Sequence, residues 1–274
     1  MDDFAPLARL IAAIDPWRAH LVLVGGWAHR LYRFHELANV PEYQPLTTKD
    51  TDLAFSAGAP LHGDIKAALE KAGFSEKLSG ESRPPVTHYE LSEDDAGFYA
   101  EFLTPLVGSG RKRDGKPDAT VSVAGVTAQK LRHLEILFVD PWVIKIGPDK
   151  GFPLPSAVDL QVANPASFIV QKLLIQPDRK PSKRAQDVLY IHDTLEMFAG
   201  ALSGLKEIWE QKIRPVLHES TVRKVVELSA NGFSTVTDTI RDAAQMAQGR
   251  NLSPERLRGL CQGALREVIN QRRS

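Results

Sequence analysis

The chain of 274 residues carries 34 basic and 34 acidic side chains, with 43% hydrophobic and 25% charged residues, enough apolar material for one or two packed domains. The balanced charge leaves no global field drawing it to nucleic acid or an anionic membrane, so any such contact has to be local. Its single cysteine, Cys261, excludes an internal disulfide and every multi-cysteine zinc module, as suits a reducing cytoplasm.

The opening stretch MDDFAPLARLIAAID begins acidic and is not expected to be a secretory signal. No run of about 18 apolar residues occurs, so no membrane partner is expected. Apolar periodicity predicts strands at 20–26, 50–56, 87–92, 98–104, 119–125, 142–147 and 157–163, and helices at 3–14, 27–38, 61–72 and 126–136. From Asn164 the β-type runs stop. NPASFIVQKLLIQ places Pro165 at a first helical position after an Asn able to cap. Four or five further helical segments follow, one opened by SPER at 253–256. The expected organisation is an α/β domain over 1–163 followed by an all-helical domain over 164–274, with no repeat period and no low-complexity tract.

Two stretches of the first domain call for an explanation. LVLVGGWAHRLY runs a strand into Gly25 and Gly26, and TTKDTDLAF places Asp50 and Asp52 in an apolar run, where aspartate is disfavoured. Residues i and i+2 of a strand point the same way, so both carboxylates share one face while Thr51 and Leu53 share the other. That is the outline of a site for Mg²⁺ or Mn²⁺, with water and substrate phosphates as remaining ligands. Gly25 and Gly26 sit where strand turns to helix, and backbone N–H groups there approach a phosphate with no Cβ in the way. Phosphoryl transfer to a hydroxyl calls for a third acid, and FYAEFL supplies Glu101.

A glycine pair ending a first strand, a helix, D-x-D before an apolar residue and a lone acid in a later strand resemble the nucleotidyltransferase superfamily that includes polymerase beta and the aminoglycoside adenylyltransferases. More narrowly, VGGWAHRLY, TTKDTDLAF and NPASFIVQKLLIQPDRKPSKRAQDVLYI resemble the minimal bacterial nucleotidyltransferases related to AbiE-type toxins of type IV toxin–antitoxin systems. Two departures stand out. Trp27 follows Gly26 where a Gly-Ser loop would place a hydroxyl, and a spacer of 23 residues separates Gly26 from Asp50. The resemblance implies a nucleotidyltransferase-like domain with a mixed sheet, an NTP donor, and a neutralising antitoxin as candidate partner.

In the helical part, Pro177 and Pro181 bound a turn between two helical patterns, an antiparallel hairpin that brings Lys172 and Asp187 to similar heights. The resemblance implies that Lys172 binds nucleotide phosphate and that Asp187 orients it; a structural salt bridge is the alternative. Arg179 and Lys183 read as solvated loop charges. VGSGRKRDGKPDAT at 107–120 lacks the phosphate-loop arrangement and precedes a strand, so it reads as a basic hairpin connection whose Arg111, Lys112 and Arg113 face a polyanionic acceptor at most. Residues 250–274 hold six arginines against two glutamates, a basic patch or a solvated terminal helix. The histidines show no metal spacing; His29 and His35 do not share a helix face, and His88, His133 and His192 read as packed or hydrogen-bonded.

The leading expectation is a cytoplasmic enzyme that passes a nucleotidyl group in line to a hydroxyl with release of pyrophosphate. Asp50, Asp52 and Glu101 would hold metal, and Gly25, Gly26, Lys172 and Asp187 the nucleotide. The acceptor is left open among tRNA, a protein side chain and a small molecule such as an antibiotic. A noncatalytic nucleotide-binding regulatory module and a structural interaction protein are the other classes; the second would leave a carboxylate cluster as an unexplained cost.

Overall fold

A computed structural model describes residues 4–56, 58–59, 61–79, 86–91, 97–247 and 249–269. The ends of the expected elements at residue 3 and residue 92, and the arginines beyond 269, lie outside the described residues. The chain divides into two compact units. One comprises the residues up to Phe34 together with Leu46–Ala163, and the other comprises His35–Pro45 together with the chain from Asn164 onward. A continuous division at residue 163 had assigned His35–Pro45 to the first.

The first unit is built on a sheet of nine strands among the described residues. In chain order they are β1 Val22–Val24, β2 Asp50–Ala54, β3 Phe74–Ser79, β4 Val86–Leu91, β5 Tyr99–Pro105, β6 Thr120–Val123, β7 Val126–Leu131, β8 Trp142–Ile146 and β9 Val158–Val162. The main path runs β3-β4-β5-β2-β1-β9-β8. β2 with β5, β5 with β7 and β1 with β9 are parallel and the other pairs antiparallel, so the sheet is mixed. β5 is the branch point. It pairs with β2 along Tyr99–Leu103, with β4 at Tyr99 and Ala100, and with β7 over Phe102–Pro105.

Burial alternates along the central strands as a half-covered sheet requires. Leu53, Tyr89, Ala100 and Phe102 are buried, with the Tyr89 and Phe102 rings edge to face at 5.7 Å. Helices α1 Ala5–Ala13, α2 Gly25–Leu31 and α3 Ile65–Lys71 belong to this unit, and Trp27 of α2 meets Phe98 edge to face at 6.0 Å. Elsewhere in the unit Val22, Val24, Ala54 and Leu103 pack with Leu134, Leu137 and Ala163.

The expected helix at 126–136 is instead β7 followed by a short 3-10 turn, Glu135–Phe138. Val123 pairs with Val126, leaving Ala124 (φ 48°) and Gly125 (φ 80°) as a two-residue loop. Two consecutive left-handed residues make the hairpin turn whose twist matches its strands, and that commits Val126–Leu131 to the sheet. β3 was not expected at all: Phe74 is buried but the rest of FSEKLS is polar or exposed, as in Leu78, which is 70% exposed.

The second unit contains only helices and turns among its described residues: α4 Pro165–Ile175, α5 Pro181–Met197, α6 Leu202–Ile208, α7 Glu219–Asn231, α8 Asp238–Met246 and α9 Pro254–Val268. Asn164 caps α4 by accepting from Ser167 N–H at 2.8 Å, with Pro165 at the first turn. Ser253 caps α9 in the same way, accepting from Arg256 N–H at 3.2 Å. The His35–Pro45 segment is tied to this unit by Asn39 N–H donating to Met197 C=O at 2.8 Å and Tyr43 Oη–H donating to Glu196 at 2.7 Å. Among the described residues no helix is long and apolar enough to cross a membrane.

Candidate functional site

The parallel pairing of β2 and β5 sets Asp50 opposite Tyr99, Thr51 opposite Ala100 and Asp52 opposite Glu101. Partners across a ladder share a face, and so do residues two apart along a strand. Thr51 and Ala100 are fully buried, whereas Asp50, Asp52, Tyr99 and Glu101 are half-buried on the opposite face. Strand spacing is about 4.8 Å and a two-residue step about 7 Å, so three carboxylates and a phenol occupy the corners of one small patch.

Their fields converge on the phenol. The Tyr99 hydroxyl is pushed up to about 12, first by burial and then by the negative charges of Asp50, Glu101 and Asp52. It therefore stays a neutral O–H donor beside them. Thr48 Oγ1–H donates to Asp50 Oδ1, which fixes one side of that carboxylate. The His88 ring of β4 lies 4.9 Å from the Tyr99 ring and extends the patch by one strand.

The glycine pair reaches the same patch through β1. β1 runs antiparallel to β2 with Val24 opposite Asp52, so the turn from β1 into α2 starts beside that aspartate. Gly25 has φ 66°, and a Cβ added there would lie 2.1 Å from Asp52 Oδ2. Glycine is required twice over, for its left-handed backbone and for the closeness of the carboxylate. Gly26 is buried in the first turn of α2, which opens with no side-chain cap.

Lys172 and Asp187 lie in the helical unit, on α4 and α5 of the expected hairpin. The Lys172 ammonium is 2.8 Å from Asp187 Oδ1, with side chains only 8% and 4% exposed, and it stands 5.3 Å from the centroids of both Phe168 and Tyr190. Arg179, expected as a solvated charge, reaches Asp187 Oδ2 at 3.4 Å, while Lys183 is exposed beside Gln186. The loop at 107–120 is a self-bonded hairpin connection in which Arg111 donates to Gly115 C=O at 2.9 Å, leaving Lys112 and Arg113 exposed.

Tyr99 and Thr48 are not singled out in the sequence, and His88 reads there as packed or hydrogen-bonded. The signal for Tyr99 was present, since the alternation that exposes Glu101 in FYAEFL exposes the residue two before it; His88 needed the pairing of β4 with β5, which no local pattern encodes. Among the described residues, His192, Asp193 and Glu196 of the helical unit form a group able to hold a metal ion. A family model described as Nucleotidyltransferase matches residues 3–213 of the chain. Among curated proteins none matches it.

Proposed function

The chain belongs to that nucleotidyltransferase family, and from this premise we propose that it moves a nucleotidyl group from an NTP to a hydroxyl acceptor at the patch formed by Asp50, Asp52 and Glu101. The observation that carries the reading is the β2–β5 register, with Asp52 opposite Glu101 and Asp50 one two-residue step away. Three carboxylates gathered on one sheet face repel one another, and a divalent cation is the natural compensation. The donor set is all oxygen, which fits Mg²⁺ or Mn²⁺. When bound, the metal supplies charge neutralisation for the triphosphate and the leaving pyrophosphate.

The chain's own groups then divide the work. Asp50 and Asp52 hold the metal and orient the donor. Glu101 completes the site or accepts the proton of the attacking hydroxyl. Gly25 and Gly26 let backbone N–H groups approach phosphate oxygens without a side chain between. Tyr99, neutral because of burial and its acidic neighbours, offers an O–H donor at the edge of the patch. Positioning and charge neutralisation carry the rate enhancement.

Lys172 is assigned to the nucleotide phosphates and Asp187 to orienting it on the family resemblance, and the 2.8 Å ion pair supports the orienting part. The toxin-like reading nominates tRNA or a protein as acceptor and an antitoxin as partner; an antibiotic-type small molecule is the alternative acceptor. Incubating the protein with each NTP labelled at the α-phosphate, Mg²⁺ or Mn²⁺, and cellular RNA, protein and small-molecule fractions tests both donor and acceptor. Label entering one fraction with the parent chain and not with Asp52→Asn supports the reading. Label in no fraction with any NTP overturns it in favour of a noncatalytic nucleotide-binding module.

A further inference from the structure

A cavity of about 370 Å³ opens in the helical unit, lined by Glu42, Tyr43, His192, Glu196, Arg250 and Arg256 among others. We propose that it is a site for a divalent transition-metal ion of the zinc class, held by His192 Nε2 and the Glu196 carboxylate. The two residues are four apart on α5 and so stand on one helix face. One potential ligand atom from each of His192, Asp193 and Glu196, a ring nitrogen for the histidine, lies within 4.8 Å of the others.

Asp193 belongs to the outer layer of this site. Arg250 Nη1 is 2.7 Å from each of its oxygens, and Oδ1 also lies 3.0 Å from His192 Nδ1. The guanidinium is itself held, donating to Gln44 C=O at 3.2 Å and lying 3.6 Å from the centroid of the Tyr43 ring. Asp193 is thereby neutralised, and it accepts the Nδ1 proton of His192. That hydrogen bond selects the tautomer with a lone pair on Nε2. His192 is 1% exposed, and its Nε2 has no hydrogen-bond partner.

A buried lone pair in a polar cavity wall is costly unless something completes it. A carboxylate on the far nitrogen of a histidine is how metal-binding imidazoles are oriented, and Glu196 is oriented too, accepting from the Tyr43 hydroxyl at 2.7 Å. Imidazole nitrogen beside carboxylate oxygen favours zinc, cobalt or nickel over magnesium, which takes oxygen alone. Glu42 offers a further carboxylate on the cavity wall. Because Glu42 and Tyr43 come from the His35–Pro45 segment and His192 and Glu196 from α5, an ion here strengthens the seating of that segment, independently of the sheet carboxylates.

The test uses the full, untagged chain stripped of metal with a chelator and titrated with Zn²⁺, then with Co²⁺ as a visible-spectrum probe. With excess Mg²⁺ present to fill the sheet carboxylates, one equivalent should bind, with Co²⁺ bands showing nitrogen ligation. His192→Gln and Glu196→Gln should each weaken Zn²⁺ binding by about tenfold or more, and Asp52→Asn should leave it unchanged. Should His192→Gln fail to fold, Glu196→Gln, at a half-buried position, decides alone. Absence of binding, parent-like affinity in Glu196→Gln, or loss of binding in Asp52→Asn would overturn the proposal.

Discussion

Thr51 sits between two acids of the candidate site yet faces the other way. It is fully buried and its Oγ1 has no hydrogen-bond partner. Exchanging that hydroxyl for a methyl of similar shape removes an unsatisfied group and suits a strand, so Thr51→Val should keep transfer activity and raise stability by about 1 kcal/mol in denaturant unfolding. Lower stability would mean that the hydroxyl has a partner. Gly25 should tolerate nothing larger: Gly25→Ala adds about 1–2 kcal/mol of left-handed strain and pushes Asp52 from its place, so activity should fall with stability. Tyr99 provides a pH signature. Its pKa is raised from 10.0 to about 12, so the folded protein holds this proton more tightly than the unfolded chain. The tyrosine costs nothing below pH 10, and stability falls as pH rises from 10 toward 12. That loss should be reduced in Tyr99→Phe, where Tyr89, also raised to about 12, still contributes, and in Asp52→Asn, where one repelling charge is gone; equal alkaline curves for all three chains would separate Tyr99 from the carboxylates.

At the scale of elements, the α4–α5 hairpin was legible because proline positions and an Asn cap are local signals, and its buried pair follows from similar distances to the turn. Removing Lys172 leaves buried Asp187 with only the half-exposed Arg179 at 3.4 Å as compensation, so Lys172→Met should destabilise by up to about 3 kcal/mol. Lys172→Met combined with Asp187→Leu should cost less than Lys172→Met alone. Lys172→Arg separates fold from function: it keeps the charge, and on the nucleotide assignment it still weakens NTP binding. Unchanged NTP affinity would leave the pair with a structural role only. The strands show where legibility ends. β2 and β5 announced themselves through alternation, whereas β7 was hidden because Leu131, Leu134 and Leu137 recur at helical spacing and an Ala-Gly pair is a weak hairpin signal beside Asn-Gly. β3 was hidden because, among its described side chains, Phe74 alone is buried and its neighbours are polar or exposed.

For the whole molecule, the candidate carboxylates were readable from residue type and period, but their adjacency was not, since it depends on β2 and β5 pairing in parallel register between residues 49 positions apart. The excursion of His35–Pro45 into the helical unit was equally illegible, being fixed by long-range bonds such as Tyr43 to Glu196. Binding should report on the intact chain: Mg²⁺ with NTP at about 100 times its dissociation constant adds about 2.7 kcal/mol of stability, seen as a raised Tm, and should add far less in Asp52→Asn. The central claim is that the face shared by Asp50, Asp52 and Glu101 performs nucleotidyl transfer, and single-turnover transfer from α-labelled NTP by Glu101→Gln beside the parent chain tests it most directly. The account predicts that Glu101→Gln stays folded and loses transfer by a factor of at least about 100, the scale of a lost general base. Parent-like transfer by Glu101→Gln would contradict it.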